Sequence, residues 1–133
     1  ATHHAARPSI THAQFGRVVT VAYAYRAATA VTPVVDTVKT VNGRGFIEKT
    51  IPRDTVRLAA TPQVFHRRYY EAAVKYAQDK GVTVTDDNGL MELIGQRVRT
   101  VDTGRENIKI TEAGDISVAE AILKRRGESY ERK

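Results

Sequence analysis

The sequence predicts a mainly α fold: a three- to four-helix bundle with an irregular insert able to form a β-hairpin, and α+β as the alternative. Three observations carry this. Thr11-His12-Ala13-Gln14 has the form of a capping box ahead of apolar residues at helical spacing. Thr61-Pro62 reads as an N-cap followed by proline at the first helical position of a segment that Gly81 closes. Ser117-Val118-Ala119-Glu120 repeats the capping pattern before a basic run. A chain of 133 residues and 14.7 kDa has room for a single domain, residues 1–133.

Residues 1–10 read as an extended N-terminal arm ending near Pro8. Phe15, Val18, Val19, Ala22 and Tyr25 then recur on one helical face, and Pro33 is a natural stop. Val19, Val21, Tyr23 and Tyr25 also alternate as a strand would, so helix or strand stays open over 18–25. Residues 34–51 are rich in Val and Thr. Asn42-Gly43 between Val38–Val41 and Phe46–Ile51 is a hairpin signal, although a loop between helices would use the same residues. Pro52 and Asp54 can start a short helical turn through Leu58.

In the helix expected from Thr61 to Gly81, Phe65, Tyr69, Ala72, Ala73 and Tyr76 form the apolar stripe. His66, Arg67, Lys75 and Asp79 face away from it. Asp86 or Asp87 can cap a further helix, in which Leu90, Leu93, Ile94, Val98 and Val101 keep helical spacing despite Gly89 and Gly95. The last helix becomes strongly basic at Lys124-Arg125-Arg126.

Composition narrows the function classes. The absence of cysteine removes disulfides, thiol catalysis and thiolate metal sites. None of Ser9, Ser117 and Ser129 sits in a Gly-x-Ser-x-Gly elbow, and no catalytic constellation emerges, so an enzyme is not expected. A net charge of +6 and a pI near 9.8 point to an acidic partner or nucleic acid. The uncharged stretches Val18–Tyr25 and Ala27–Val35 are too short to span a bilayer. Residues 1–35 contain no acid but carry Arg7, Arg17 and Arg26 with His3, His4 and His12, a composition resembling organellar targeting. A first residue of Ala1 reads as processing or removal of the initiator methionine.

No metal site is expected. His3, His4 and His12 lie on no rigid element and read as mobile surface histidines, while Asp86-Asp87 reads as a cap rather than an acid–base pair. Asn42–Gly45 has too few glycines for a phosphate loop. His66-Arg67-Arg68-Tyr69-Tyr70 sets cations beside aromatics, as RNA-binding surfaces do. With Lys124, Arg125 and Arg126 it makes Arg67 and Arg68 the candidate nucleic-acid contacts. Glu128 and Glu131 dilute the basic tail.

Ala24-Tyr25-Arg26-Ala27, followed by Pro33, resembles the Leu-Tyr-Arg signature of the LYR-motif family of small mitochondrial accessory proteins, with Ala24 in place of the leucine. Arg53-Asp54-Thr55-Val56-Arg57 is similar to a mid-chain stretch of the respiratory complex I accessory subunit of that family. The resemblance implies a helical, non-catalytic scaffold on the matrix side of mitochondria, in contact with other subunits of a respiratory complex. It also implies acyl carrier protein as a partner, whose acyl-phosphopantetheine would be the only cofactor involved. Arg17, Tyr25, Arg26, Arg53, Arg57, Arg67 and Arg68 are then the partner-binding residues, since arginines pair bidentately with carboxylates. The alternative is a basic RNA-binding protein of an organellar ribosome. A third reading is a self-assembling virion protein whose residues 34–51 pair between copies.

Overall fold

The computed structural model describes residues 1–127 and shows a mixed α/β fold, not a helical bundle. Helix α1 (His12–Tyr25) leads into β1 (Ala27–Pro33), and a hairpin of β2 (Val38–Val41) and β3 (Ile47–Ile51) follows. A 3₁₀ turn (Arg53–Thr55) precedes β4 (Arg57–Phe65), α2 (Arg67–Lys80) and α3 (Asp87–Leu93). Strand β5 (Arg99–Asp102) and α4 (Ala113–Arg125) complete the chain. The main sheet has the order β4-β1-β5, with β1 antiparallel to β4 and parallel to β5.

Strand β1 organises the packing because both of its faces are covered. Ala28 and Ala30 join Val18 and Ala22 of α1, Ala60 and Val101 in one core. Ala27, on the opposite face, joins Ala73 and Ala77 of α2 with Leu90 and Met91 of α3 in the other. The sheet is therefore sandwiched between α1 and the α2–α3 pair. Alanines on β1 let helices approach closely from both sides, and a strand buried on two faces reads as a continuous apolar run rather than an alternation.

Several expected boundaries move. The capping box at Thr11 forms, with Gln14 N–H donating to Thr11 Oγ1 at 3.1 Å and the Thr11 amide donating to Gln14 Oε1 at 2.9 Å. The helix ends at Tyr25 because Arg26 adopts the left-handed conformation at φ 73°, which turns the chain into β1. Thr61 and Pro62 do not start a helix. They lie inside β4, joined by a cis peptide bond, and α2 begins only at Arg67. Gly81 does close α2, at φ 63°. The run Leu90–Val101 is divided: Gly95, at φ 69°, follows α3, and the chain straightens into β5. α4 starts at Ala113, with Asp115 accepting from the amides of Thr111 and Glu112, so Ser117 lies within the helix.

The hairpin signalled by Asn42-Gly43 is present. Asn42 Oδ1 accepts from the amides of Arg44 and Phe46 and fixes the turn. Residues 2–4 lie along the outer edge of β4, where Thr2 and Gln63 exchange both backbone hydrogen bonds at 2.8 and 2.9 Å, and Ala6 and Ser9 then bond to Ile110 and Glu106. Among the described residues no helix is long and apolar enough to cross a membrane. Ser129, Glu128 and Glu131 lie outside the described residues.

Candidate active site

Thr2 pairs with β4 in antiparallel fashion, and β4 is antiparallel to β1, so the first residues run in the same direction as β1 and β5. Their carboxyl end, His3 and His4, therefore emerges beside the carboxyl ends of β1 and β5. In open α/β sheets this edge is where ligands bind. A cleft of about 310 Å³ opens there, lined by Thr2, His4, Thr61, Gln63, Asp86 and Asp87.

One hydroxyl sets the geometry of the cleft. The His4 amide donates to Thr61 Oγ1 at 3.2 Å, and the same oxygen lies 3.0 Å from His3 Nδ1. His3 Nε2 is 3.3 Å from the Arg7 carbonyl, which can only accept, so Nε2 carries the proton. In the neutral ring Nδ1 then accepts from the Thr61 hydroxyl, and every group in the chain is satisfied. Burial lowers the His3 pKa from its ordinary value, and the nearby charges of His4 and Arg7 push the same way. The hydrogen bond to the Arg7 carbonyl opposes them.

Arg7 and Asn107 extend the network away from Thr61. Arg7 Nη1 donates to the Asn107 carbonyl at 2.5 Å. Asn107 Nδ2 donates to the Thr61 carbonyl at 3.0 Å and to Thr103 Oγ1 at 3.1 Å, tying β4 to the segment after β5. Arg7 Nε and Asn107 Oδ1 are buried with no hydrogen-bond partner in the protein. Burial lowers the Arg7 pKa from its usual value.

The opposite wall is acidic. Asp86 Oδ1 caps α3 through the Gly89 amide at 3.0 Å, while Oδ2 accepts from Gln63 Nε2 and Asn88 Nδ2 at 3.1 and 2.9 Å. Asp87 Oδ2 accepts from Thr2 Oγ1 at 2.6 Å, and Tyr70 OH stands 3.5 Å from Oδ1. Burial raises the Tyr70 pKa first, and the Asp87 charge raises it further. Thr2, His4 and Thr61 thus share the cleft with Asp86 and Asp87, whose carboxylates are already anchored by hydrogen bonds.

None of the partner-binding or nucleic-acid-binding residues singled out from the sequence lines this cleft. Tyr25 and Arg26 end α1 and line a groove with Arg97 and Arg99, while Arg17 lines its continuation. Arg53 and Arg57 brace the base of the hairpin, Arg53 donating to the Val35 carbonyl and Arg57 to the carbonyls of Asp54 and Val56. Arg67 pairs with Glu71 at 2.6 Å on the open face of α2, and Arg68 is exposed beside it. Arg125 and Arg126 both pair with Glu106, and Lys124 is exposed on the same turn. Sequence reasoning takes Thr61 for a helix cap, does not weigh Gln63, and weighs His3 and His4 as metal ligands or as part of a basic, acid-free N-terminus. The signal available is Thr61-Pro62-Gln63, polar side chains inside an otherwise apolar stretch.

The arrangement has known counterparts. The family model described as "IspD: 2-C-methyl-D-erythritol 4-phosphate cytidylyltransferase" matches residues 1–125. This chain belongs to the IspD family. The 2-C-methyl-D-erythritol 4-phosphate cytidylyltransferase of Pelotomaculum thermopropionicum is 43% identical over 124 residues, 93% of this chain and 52% of that protein. Its counterpart in Desulforamulus reducens is 41% identical over 124 residues, 93% of this chain and 53% of that one. The crystal structure of the Thermus thermophilus enzyme superposes with a TM-score of 0.81 at 34% identity, over 92% of this chain and 60% of that chain. The chain spans about half the length of the curated relatives it matches.

IspD membership and the Rossmann-like mixed α/β fold overturn the LYR-family resemblance and the accessory-subunit reading that rested on it. Tyr25-Arg26 is the end of α1 and its left-handed cap, not a motif inside a helical bundle. The organellar RNA-binding and virion readings fall with the same finding. The expectation of no enzyme activity is corrected because the family is one of enzymes. That expectation rests on the lack of a protein nucleophile, whereas in phosphoryl transfer the substrate's own oxygen attacks. The mitochondrial assignment is corrected by bacterial relatives such as those of Pelotomaculum and Desulforamulus. The acid-free stretch from 12 to 35 is a helix and a central strand. Acyl carrier protein and respiratory subunits find no support as partners, and acyl-phosphopantetheine is expected only as that carrier's cargo.

Proposed function

We propose that this chain takes part in transfer of a cytidylyl group from CTP to 2-C-methyl-D-erythritol 4-phosphate, the reaction for which its IspD relatives are named. In such a transfer a phosphate oxygen of the acceptor attacks the α-phosphorus of CTP. A new P–O bond forms, the bond to the β-phosphate bridge breaks, and pyrophosphate leaves. The observation that supports a role for this chain is the cleft at the carboxyl edge of the sheet, lined by Thr2, His4, Thr61 and Gln63. Catalysis of this kind is chiefly positioning and neutralisation of charge. Thr61 fixes the backbone of His4 at the rim and holds the His3 ring beside it.

Divalent cations commonly neutralise the triphosphate in such reactions. Among the described residues no group of three or more His, Cys, Asp or Glu side chains stands close enough to hold one. The donors present do not form a resident metal site, and no step is assigned to an ion.

The test is a graft. Residues 1–125 replace the matched segment of the Pelotomaculum thermopropionicum relative, and pyrophosphate release from CTP is followed with and without the acceptor. Release that depends on the acceptor and falls on Thr61→Val supports the reading. A folded graft that releases none overturns it.

A further inference from the structure

We propose that the groove between the end of α1 and the start of β5 is a second anion site, built to bind a diphosphate group. Arg26, Arg97 and Arg99 line a groove of about 490 Å³ together with Tyr25, Gln96 and Thr100. It lies at the amino ends of β1 and β5, since Arg26 immediately precedes Ala27 and Arg99 pairs in register with Ala28. The cleft at His4 and Thr61 lies toward the opposite ends of those strands.

Three guanidinium groups in one groove repel each other unless an anion joins them. No acidic residue lines the groove, and among the described residues none of the three arginines forms an ion pair. Two of them are held by aromatic rings instead. The Arg26 guanidinium carbon lies 5.5 Å from the Tyr69 ring centroid, and that of Arg99 lies 5.1 Å from the Tyr25 centroid. A cation–π seat fixes the head group without occupying its N–H donors. The backbone is equally committed, because Arg26 is the only described residue other than glycine at positive φ. An Arg in this conformation carries a conformational cost that glycine would avoid.

Charge selects the ligand class. A single phosphate monoester supplies about −1.5 to −2 at neutral pH, short of three guanidinium charges. A diphosphate comes closer to balance, and its non-bridging oxygens match the forked donors of arginine. The inference is independent of the cytidylyltransferase reading.

The experiment is a ¹⁵N NMR titration of the 133-residue chain with inorganic pyrophosphate. Orthophosphate, an organic diphosphate (ADP) and chloride at matched ionic strength serve as comparisons. Expected are saturable shifts at Tyr25–Ala27 and Gln96–Thr100 with pyrophosphate, weaker with orthophosphate and absent with chloride. ADP as effective as pyrophosphate identifies the diphosphate group itself as the ligand. Pyrophosphate alone being effective identifies the free anion. Arg97→Ala removes an exposed side chain outside both cores and should weaken binding roughly tenfold, the loss of one charge-assisted contact. Arg97→Lys, which keeps the charge but not the fork, should lie between. Shifts confined to Thr2–His4, Thr61–Gln63 and Asp86–Asp87, shifts reproduced by chloride, or affinity unchanged in both variants would overturn the proposal.

Discussion

Thr61 Oγ1 lies 3.0 Å from His3 Nδ1, joining the middle of β4 to a residue 58 positions earlier. Because the same hydroxyl accepts the His4 amide, one buried oxygen holds two successive residues at the rim of the cleft. Thr61→Val keeps the shape and removes both bonds. It leaves the His4 amide and His3 Nδ1 without their partner and should destabilise the chain by about 1–3 kcal/mol. Thr61→Ser retains the hydroxyl and should recover most of that. Urea unfolding of the two variants checks it, and equal midpoints would contradict the role given to the oxygen.

The lowered His3 pKa gives a pH dependence of fixed sign. The unfolded chain takes up its proton near the ordinary value of 6.5, whereas the folded chain resists until a lower pH. Between the two the unfolded state binds more protons, so stability is full above 6.5 and declines as the pH falls through the folded value. Melting temperatures at pH 7.5 and 5.5 should differ in the wild type and differ less in His3→Gln. The carboxyl of Asp115, held below its ordinary 3.8 by the Thr111 and Glu112 amides, contributes only at lower pH and does not confuse the comparison. A pH slope unchanged in His3→Gln would assign the effect elsewhere.

Arg125 and Arg126 share Glu106 but should differ in consequence. The Arg126 side chain is 18% exposed and also donates to the Ser9 carbonyl at 2.5 Å, whereas that of Arg125 is 68% exposed. Arg126→Ala leaves a part-buried carboxylate with one partner fewer and frees a buried backbone oxygen, at a cost of about 1–3 kcal/mol. Arg125→Ala should cost about 0.5 kcal/mol or less, and even that should vanish in high salt. Paired denaturation curves at low and high salt test the contrast.

Local chemistry is readable where it decides structure by itself. Thr11-Gln14, Asn42-Gly43 and Gly81 each act through a hydrogen bond or a φ angle within a few residues, and each is found where the sequence places it. Ala27–Pro33 is misread because a strand covered on both faces has no alternation, and alanine favours helix in isolation. What makes it a strand is pairing with Arg57–Phe65 and with Arg99–Asp102, partners tens of residues away. Thr61-Pro62 shows the opposite error, a start signal for a helix sitting at an irregularity within β4, between Ala59 and Gln63, which pair with β1. The cleft is illegible for the same reason: His3, Thr61, Asp86 and Asn107 are brought together only by the sheet and its crossovers.

Gly89 tests the packing of α3 against the segment before it. A Cβ at this position would stand 2.9 Å from Val84 Cβ and 3.1 Å from Val84 Cγ1, too close for either to remain. Val84 is partly buried against Leu90 and Met91, and its Cβ is fixed to the backbone, so no rotation of its side chain relieves the shorter contact. Gly89→Ala should therefore destabilise by about 1–3 kcal/mol, although alanine is the better helix former by up to about 1 kcal/mol. In a Val84→Gly background both contacts are removed and the propensity gain remains, so the same substitution should be neutral or stabilising. The double-mutant cycle thus predicts a change of sign, which additive effects at the two positions cannot produce.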